Sequence, residues 1–420
     1  MIVGSDLARA RLVSRSVDVI STHQSPSGAY PASPTFSAYR GYAWLRDGAF
    51  IAEGMSRTGF TGQVTEFHAW CARVISARAA QVDDLVRRAV RGGPVSNAEM
   101  LPTRFTLDGG EGTDEWWDHQ LDGYGTWLWA LAEHTGRHGV TVPGAGEAVR
   151  VAARYLSWFW DRPCYDWWEE HVGQRHVSTL GAIHAGLRAA LGTGFLAEDD
   201  ERAAAEAVEG IAALVAEQGI AKAGHLRKWL ATPANTHPAS LTEPDPLITS
   251  SGDGTGAGAL AEAALGDPPA FGVGADSELL GGDAVDASLL ACVYPFGLYP
   301  PEHPVAVATV AQVERELANG GGVYRYLADT FYGGGRWVLL SGFLGLNHAA
   351  AGRREEALRY LDWMAAQADA AGELPEQVSD VLLAPGRFEE WVERWGSVAS
   401  PLLWSHGMYL MLADALEVRA

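Results

Sequence analysis

Apolar residues recur along most of this chain with the spacing of one face of an α-helix. Leu121, Tyr124 and Leu128, for example, follow the i, i+3, i+7 pattern, and Gly136 is placed to end that helix. Alternating strand patterns are scarce, and no glycine-rich phosphate loop lies between a strand and a helix. Helices are predicted over residues 5–22, 47–58, 62–91, 119–136, 144–160, 176–191, 199–217, 284–292, 304–317, 336–351, 353–370 and 398–416. The fold class is therefore all-α.

The number of helices suggests how they are arranged. Twelve helices joined in succession suit six helical hairpins closed into a double-walled ring, whose inner helices carry their loops to one rim. An α-solenoid is the alternative, but no residue-level repeat recurs at a fixed period of about 30 to 50 residues. Residues 226–282 are rich in Gly, Pro, Asp and Ser and are typical of a loop. We expect one domain over residues 1–420 with this loop as an insertion.

The charge balance excludes several kinds of partner. The 31 basic and 52 acidic residues give a net charge of −21, which repels nucleic-acid backbones and anionic membranes. No apolar run reaches the roughly 18 residues of a membrane span, and the first residues lack the pattern of a secretion signal. We therefore expect a cytoplasmic protein that binds neither nucleic acid nor a membrane. The sequence leaves the oligomeric state open, including a homo-oligomer.

Neither a metal nor a cofactor is expected. Cys71, Cys164 and Cys292 are odd in number and widely separated, which supports neither a disulfide framework nor a zinc site. The 13 histidines include no His-Glu-x-x-His motif. The 16 tryptophans are far more than a core needs. Aromatic faces bind the apolar faces of sugar rings, although a large core can also contain them.

Five loop segments combine aromatic residues with reactive groups. In the first, Tyr42 and Trp44 precede the adjacent Arg46 and Asp47. An Arg and an Asp can hold two neighbouring hydroxyls from the donor and acceptor sides, although an Asp at a helix start can also be a simple N-cap. The other four segments are DEWWDHQLDGYG, YDWWEEHVG, VYRYLADTFYGGGRW and GELPEQVSD.

Glu169 and Glu170 directly follow two tryptophans. A carboxyl group packed on indole loses hydration, so its charged form is disfavoured and its pKa rises. Such a group can donate a proton to a leaving oxygen while a second, ionised carboxylate about 6.5–9.5 Å away activates water. Consecutive side chains point in different directions, so only one of the two glutamates should be the acid. A solvated glutamate pair at a helix start is the alternative interpretation.

Seven motifs, in order along the chain, resemble those of glycoside hydrolase family 15, the glucoamylase-like enzymes. They are YAWLRDGAF, HQLDGYGTWLWAL, DWWEEHVG, VDASLL, YRYLADTFYGGGRW, LPEQVSD and ASPLLWSHGMYLML. The combination of WEE with the distant PEQ and PLLWSH is the specific part. The resemblance implies an (α/α)6 barrel and inverting exo-hydrolysis of α-glucosidic bonds from the non-reducing end.

The same resemblance implies roles for individual residues. Glu169 matches the general acid of the family, and Glu376 in LPEQV matches its general base. The residues expected to contact the sugar or to line its pocket are Tyr42, Trp44, Arg46, Asp47, Trp116, Trp117, Trp168, Glu170, Arg325 and Trp404. Within that set, Arg46 and Asp47 match the pair that holds the hydroxyls of the terminal glucose.

One position departs from the family pattern. Many relatives have an aromatic residue two positions before the tyrosine that matches Tyr42, whereas this chain has Arg40 there and Tyr39 one step earlier. The sequence does not say which side chain makes the usual contact. Because the first barrel helix begins near Met1, an additional N-terminal module is not expected, and short α-glucosides, of the isomaltose type or similar, are the expected substrates.

Three alternative functions fit the same motifs. A trehalase of the same family would share both glutamates. An inverting α-glucoside phosphorylase would use one carboxylic acid and a basic phosphate pocket, against which Glu376 in an acidic protein argues. A catalytically inactive sugar-binding protein would have lost one carboxylate, and both are present. Linkage preference and substrate length are not fixed by the sequence.

Overall fold

The structure of this chain, a computed structural model, describes residues 2–113, 119–230 and 281–419. Most of the predicted loop insertion, residues 231–280, lies outside the described residues. The helices are α1 Ile2–His23, α2 Leu45–Arg57, α3 Thr61–Ser76, α4 Ala79–Val90, α5 Asp122–His138, α6 Ala145–Phe159, α7 Val177–Leu191, α8 Glu198–Gln218, α9 Leu290–Val293, α10 Pro304–Leu317, α11 Val338–Ala350, α12 Arg354–Ala366, α13 Phe388–Trp395 and α14 Leu403–Ala415. None of these helices is both long and apolar enough to cross a membrane.

The helices form the (α/α)6 barrel that the sequence predicts. Helices α2, α5, α7, α9, α11 and α14 each pack on the next, and α14 packs on α2 to close the inner ring. Helices α1, α3, α6, α8, α10 and α12 precede these inner helices in alternation and form the outer ring. The fourth inner helix is the shortest, because α9 has four residues preceded by a 3₁₀ turn at Ala287–Leu289.

Burial distinguishes the two rings. In α11 every residue from Val338 to His348 is buried, as expected for a helix surrounded by the outer ring. In α8, by contrast, the buried residues lie on one face at helical spacing, and the first turn is acidic and largely exposed. The amphipathic pattern of α8 thus indicates an outer helix, and the almost wholly apolar sequence of α11 indicates an inner one.

Three features differ from the predicted helices. Segment 62–91 is two helices, because the guanidinium of Arg78 donates to the carbonyl of Val74 at 2.7 Å and helps to end α3. Helix α5 continues through Gly136 and ends at Gly139, whose φ of 64° is left-handed. Helix α13 has no counterpart among the predictions, since eight residues are too few to establish a period.

Glycines allow the inner helices to approach closely. A Cβ added at Gly125 of α5 would lie 2.4 Å from the carbonyl oxygen of Ala182 in α7. Where α14 closes the ring on α2, a Cβ added at Gly54 of α2 would lie 2.5 Å from the carbonyl oxygen of Gly407 in α14. Real Cβ atoms do not come this close to backbone atoms, so these contacts require glycine.

Two small sheets brace the rim at which the inner helices begin. β1 (Tyr42–Trp44) pairs antiparallel with β2 (Arg104–Thr106) and runs directly into α2. The second sheet is antiparallel and contains β3 (Ala318–Asn319), β4 (Gly322–Val323), β5 (Arg336–Trp337) and β6 (Gln377–Val378). Because β5 leads into α11 and β6 lies in the loop before α14, this sheet joins two neighbouring parts of the rim.

We expect Gly125→Ala to lower the free energy of unfolding by about 1–3 kcal/mol, because the added methyl group forces α5 and α7 apart. Gly136→Ala in the same helix is the matched control, since an added Cβ there meets no heavy atom within 4 Å. That change should be neutral or stabilise by up to about 1 kcal/mol through helix propensity. Urea denaturation of both variants measures the difference, and equal effects would contradict this packing account.

Candidate active site

The loops that precede the inner helices meet at one rim. Contacts between successive loops run around the ring: Arg46 with Asp122, Gln120 with Asp166, Trp168 with Asp286, Ala287 with Arg325, Val338 with Glu376, and Leu403 with Ala32. These loops carry most of the reactive residues that the sequence singles out. The sequence therefore brings together at this rim segments that are hundreds of residues apart.

Arg46 is buried at the start of α2, with 5% of the residue exposed. It donates to Gln120 Oε1 at 3.0 Å and to Asp122 Oδ2 at 2.9 Å. Its guanidinium carbon lies 6.0 Å from the ring centroid of Trp167 and 5.8 Å from that of Trp404. Two hydrogen-bond acceptors and two indole rings thus fix its orientation.

Several buried polar atoms beside Arg46 have no hydrogen-bond partner among the described residues. They are Nε of Arg46, Oδ2 of Asp47, and Nε1 of Trp167 and Trp404. The first two lie 3.6 Å apart, and burial raises the pKa of Asp47 to about 6 despite this nearby cation. Buried donors and acceptors are costly unless water or a ligand satisfies them. This end of the pocket is therefore suited to a ligand rich in hydroxyl groups.

A tight turn shapes the loop before α7. Asp166 Oδ1 accepts the backbone N–H groups of Trp168 at 3.1 Å and of Glu170 at 2.9 Å, and its carbonyl accepts that of Glu169 at 3.1 Å. Glu169 has a φ of 61°, a left-handed conformation that costs a residue other than glycine or asparagine free energy. The turn around Asp166 therefore holds Glu169 in a strained, well-defined position.

The Glu169 side chain is 17% exposed and contacts the loop before α2. The indole Nε1 of Trp44 donates to Glu169 Oε1 at 2.7 Å, and Arg46 Nη2 lies 3.8 Å from the same oxygen. The indole that donates to this carboxylate thus comes from a motif about 125 residues away rather than from its own tryptophan neighbours. Glu169 is therefore oriented by the loop before α2 and still reaches solvent.

Glu170 is held by the loop before α11. Arg325 Nη2 donates to Glu170 Oε1 at 3.0 Å, and the Tyr326 hydroxyl donates to Glu170 Oε2. Arg325 also forms a two-pronged pair with Asp329. Burial raises the pKa of Glu170, and the Arg325 cation opposes this effect. Both oxygens of Glu170 therefore accept hydrogen bonds from the loop before α11.

Glu376 is almost fully buried, with 2% of the residue exposed. Its backbone is fixed on both sides, since its N–H donates to Ala399 O at 2.9 Å and its carbonyl accepts from Val338 N at 3.1 Å. The Tyr39 hydroxyl donates to its Oε1 at 3.1 Å, while Oε2 is buried with no partner among the described residues. Burial raises the pKa of Glu376 to about 8, although the Tyr39 hydrogen bond lowers it.

Two contacting aromatic rings connect Glu169 and Glu376. The ring centroids of Tyr39 and Trp44 are 5.6 Å apart, with an edge-to-face orientation. Tyr39 donates to Glu376 and Trp44 donates to Glu169. Two carboxylates about 200 residues apart in sequence therefore belong to the same pocket, each held by one member of an aromatic pair.

The structure places eight of the predicted sugar-contact residues at this rim. These are Tyr42, Trp44, Arg46, Asp47, Trp168, Glu170, Arg325 and Trp404. Trp116 and Trp117 lie outside the described residues. Tyr39 is absent from the predicted set. It makes the contact with Glu376, whereas Arg40 is exposed. The sequence does give a signal for Tyr39, because this aromatic residue directly precedes Arg40, the position that departs from the family pattern.

Three side chains bring possible metal ligands together. Atoms of Asp166, Glu170 and His171 lie within 4.8 Å of one another. Asp166 Oδ2, however, faces the ammonium of Lys228 at 4.0 Å, and Arg325 already holds Glu170. Cations of the protein therefore already face two of these three side chains.

Comparison with known proteins is consistent across sequence and structure. Residues 8–373 match the family model described as Glycosyl hydrolases family 15, a span that ends just before Glu376. The chain is 50% identical over 414 residues to the isomaltose glucohydrolase of Kribbella flavida, covering 98% of this chain and 94% of that protein.

Solved structures give the same result. A structure titled Glycosidase Wild Type has 48% identity and a TM-score of 0.84, covering 99% of this chain and 98% of that one. A glutamate-to-alanine variant with the same degree of similarity is described as being in complex with glucose. A bacterial glucoamylase complexed with acarbose, at 19% identity and a TM-score of 0.66 over 97% of this chain and 56% of that one, shares the fold.

We expect Tyr39→Phe to raise the pKa of Glu376 further, because the hydrogen bond that it removes stabilises the ionised carboxylate. If catalysis needs ionised Glu376, the acid limb of the rate–pH profile should then shift to higher pH by up to about one unit. Rate–pH profiles of both proteins measure the shift. An acid limb that stays in place, or moves to lower pH, would contradict the role of this contact.

Proposed function

This chain belongs to glycosyl hydrolase family 15, and from that premise we propose that it removes glucose from the non-reducing end of isomaltose and similar short α-glucosides. It is a glycoside hydrolase with the inverting, exo-acting chemistry of its family. The observation that carries the proposal is the joint placement of Glu169 and Glu376 around the Tyr39–Trp44 pair. The isomaltose glucohydrolase of Kribbella flavida supports the choice of substrate.

The acid and base roles follow the family pattern, in which Glu169 matches the general acid and Glu376 matches the general base. Glu169, which is partly exposed and accepts from Trp44, donates its proton to the glycosidic oxygen as the bond from that oxygen to the anomeric carbon breaks. Water attacks the anomeric carbon from the opposite face and gives a proton to Glu376, whose Oε2 has no other partner among the described residues. The product is β-glucose, and the second product is the released aglycone alcohol.

The terminal glucose is assigned to the closed end of the pocket. Arg46, Asp47 and Trp404 are buried there and offer unsatisfied donors and an acceptor to sugar hydroxyls. Phe50 stacks on Trp404 at 5.2 Å and fills the barrel beneath it. A pocket that ends on a packed core admits one chain end only, which supports exo action.

The aglycone is assigned to the side of the pocket formed by Glu170 and Arg325. Trp168 lies beside them, 5.2 Å from the Arg325 guanidinium carbon and 5.6 Å from the ring of Trp337. The Arg325–Glu170 pair can offer both donors and acceptors to sugar hydroxyls. Tyr42 lies nearer to Trp44, with the Arg104 guanidinium 3.9 Å above its ring.

The charge of the pocket argues against a phosphorylase. Arg46 faces Asp122, and Arg325 faces Glu170 and Asp329, so the cations here are already balanced by carboxylates. A phosphate would need an uncompensated positive site. The retention of both glutamates argues equally against an inactive sugar-binding protein. A trehalase would differ in substrate rather than in site chemistry, so an assay that compares isomaltose with trehalose distinguishes the two functions.

We further propose that residues 1–420 act as one catalytic domain, because the first and last inner helices pack on each other to close the ring. A cytoplasmic location and the oligomeric state stay predictions from the sequence.

We expect glucose release from isomaltose, with maltose, nigerose, kojibiose and trehalose cleaved more slowly. Proton NMR within minutes of mixing should show the β anomer first, since water attacks opposite the leaving group. An initial α signal would contradict inversion. Trehalose cleaved fastest would replace the isomaltose assignment with a trehalase.

We expect Glu169→Gln and Glu376→Gln each to lower turnover of isomaltose by about 10²-fold or more, because each removes one proton-transfer group. Glu373→Gln is the matched control, since Glu373 forms a partly exposed ion pair with Arg15 at 3.6 Å outside the pocket. Circular dichroism checks that the variants are folded. Near-normal turnover in either of the first two variants would refute the corresponding role.

A further inference from the structure

Lysine is rare in this chain, and one of its lysines is buried beside the active site. Of the 31 basic residues only Lys222 and Lys228 are lysine. Lys222 is exposed, whereas Lys228 is 5% exposed. The Lys228 backbone is fixed by a hydrogen bond from its N–H to Gly282 O at 2.9 Å and another from Val177 N to its carbonyl at 3.1 Å. Lys228 is thus attached to the first residue of α7, directly after the loop that carries Glu169.

The Lys228 ammonium contacts three groups at once. Its Nζ lies 3.2 Å from Asp286 Oδ2 and 4.0 Å from Asp166 Oδ2. It also lies 3.8 Å from the ring centroid of Tyr326, a cation–π contact. Each of these three groups in turn holds a different part of the loop at 166–170.

The first group, Asp286, accepts the indole N–H of Trp168 at 3.2 and 3.0 Å. The second, Asp166, accepts the backbone N–H groups of Trp168 and Glu170 and so forms the turn. The third, Tyr326, donates its hydroxyl to Glu170. One ammonium group therefore contacts the groups that hold Trp168 and Glu170, the residues on either side of Glu169 in the sequence.

Charge balance makes this contact necessary. Arg325 is the cation paired with Glu170, and Lys228 is the one that faces both Asp166 and Asp286. Burial alone would raise the pKa of Asp166, but His176 and Lys228 hold it below its ordinary value. Two buried carboxylates without a countercharge would take up protons or move toward water, and the turn would loosen.

We propose that Lys228 is a positioning residue that holds the loop at 166–170, and with it Glu169, in the geometry needed to protonate the leaving oxygen. This inference rests on the proposed function, because it takes Glu169 as the general acid. Lysine suits the place because a compact ammonium can lie under the Tyr326 ring and reach two carboxylates, whereas a planar guanidinium cannot do both in the same space.

The test compares two substrates in the same sample of each variant. Isomaltose needs a proton on its leaving oxygen and has an aglycone to bind, whereas α-glucosyl fluoride releases fluoride with little need for either. We expect Lys228→Met to lower the ratio of the isomaltose rate to the fluoride rate by about tenfold or more, since acid catalysis contributes about 10²–10⁴. Lys222→Met is the matched control and should leave the ratio unchanged.

The ratio separates positioning from stability. A purely structural role would lower both rates in proportion to the folded fraction and leave the ratio unchanged, which would overturn the inference. If Lys228→Met yields no folded protein, Lys228→Arg carries the same comparison, and a ratio equal to that of the unsubstituted enzyme would again overturn it. The proposed function fails separately, if Glu169→Gln leaves this ratio unchanged or the unsubstituted enzyme does not hydrolyse isomaltose.

Discussion

The close packing of the first and last inner helices is the contact on which the site depends. At Gly54 and Gly407 the backbones of α2 and α14 approach so closely that no side chain fits between them. This contact joins segments about 350 residues apart and closes the ring. Without it, the loop that carries Glu376 would have no fixed relation to the loops that carry Tyr39 and Glu169. The geometry of the site therefore depends on backbone packing within the helices as well as on contacts within the pocket.

Buried cations organise the pocket in an acidic protein. Arg46 ties the start of α2 to the start of α5, Arg325 ties Glu170 to its own loop, and Lys228 lies behind the turn at Asp166. Each is matched by carboxylates, so the desolvation of one charge is offset by its neighbours. The same pairing fixes side-chain positions before substrate arrives. Preorganisation of this kind reduces the rearrangement that the reaction would otherwise require.

The sequence predicts the fold class and the two glutamates, because both leave strong local patterns. Helical periodicity marks the helices, and Glu169 and Glu376 lie in recognisable motifs. Helix ends are predicted less well, as the division of segment 62–91 and the continuation of α5 through Gly136 demonstrate. An arginine that caps a helix end cannot be told in sequence from one that does not. A glycine likewise does not show whether the helix ends there or continues.

The supporting residues of the site could not be predicted in this way. Tyr39 reaches Glu376 across about 340 residues, and Lys228 reaches Asp286 from another loop. Such contacts depend on which loops the closed ring places next to each other. Local sequence patterns do not encode that arrangement. One of only two lysines in a chain rich in arginine is nevertheless a compositional signal. It became interpretable only once its neighbours were known.

The left-handed backbone at Glu169 has a consequence for the descent of this fold. Glutamate pays about 1–3 kcal/mol to occupy that conformation, while glycine and asparagine accept it at little cost. In its proposed role as the general acid, Glu169 would be retained there by selection for catalysis. In a lineage freed from that selection, drift should replace this residue early with glycine or asparagine, and the protein should become more heat-resistant as it loses its chemistry.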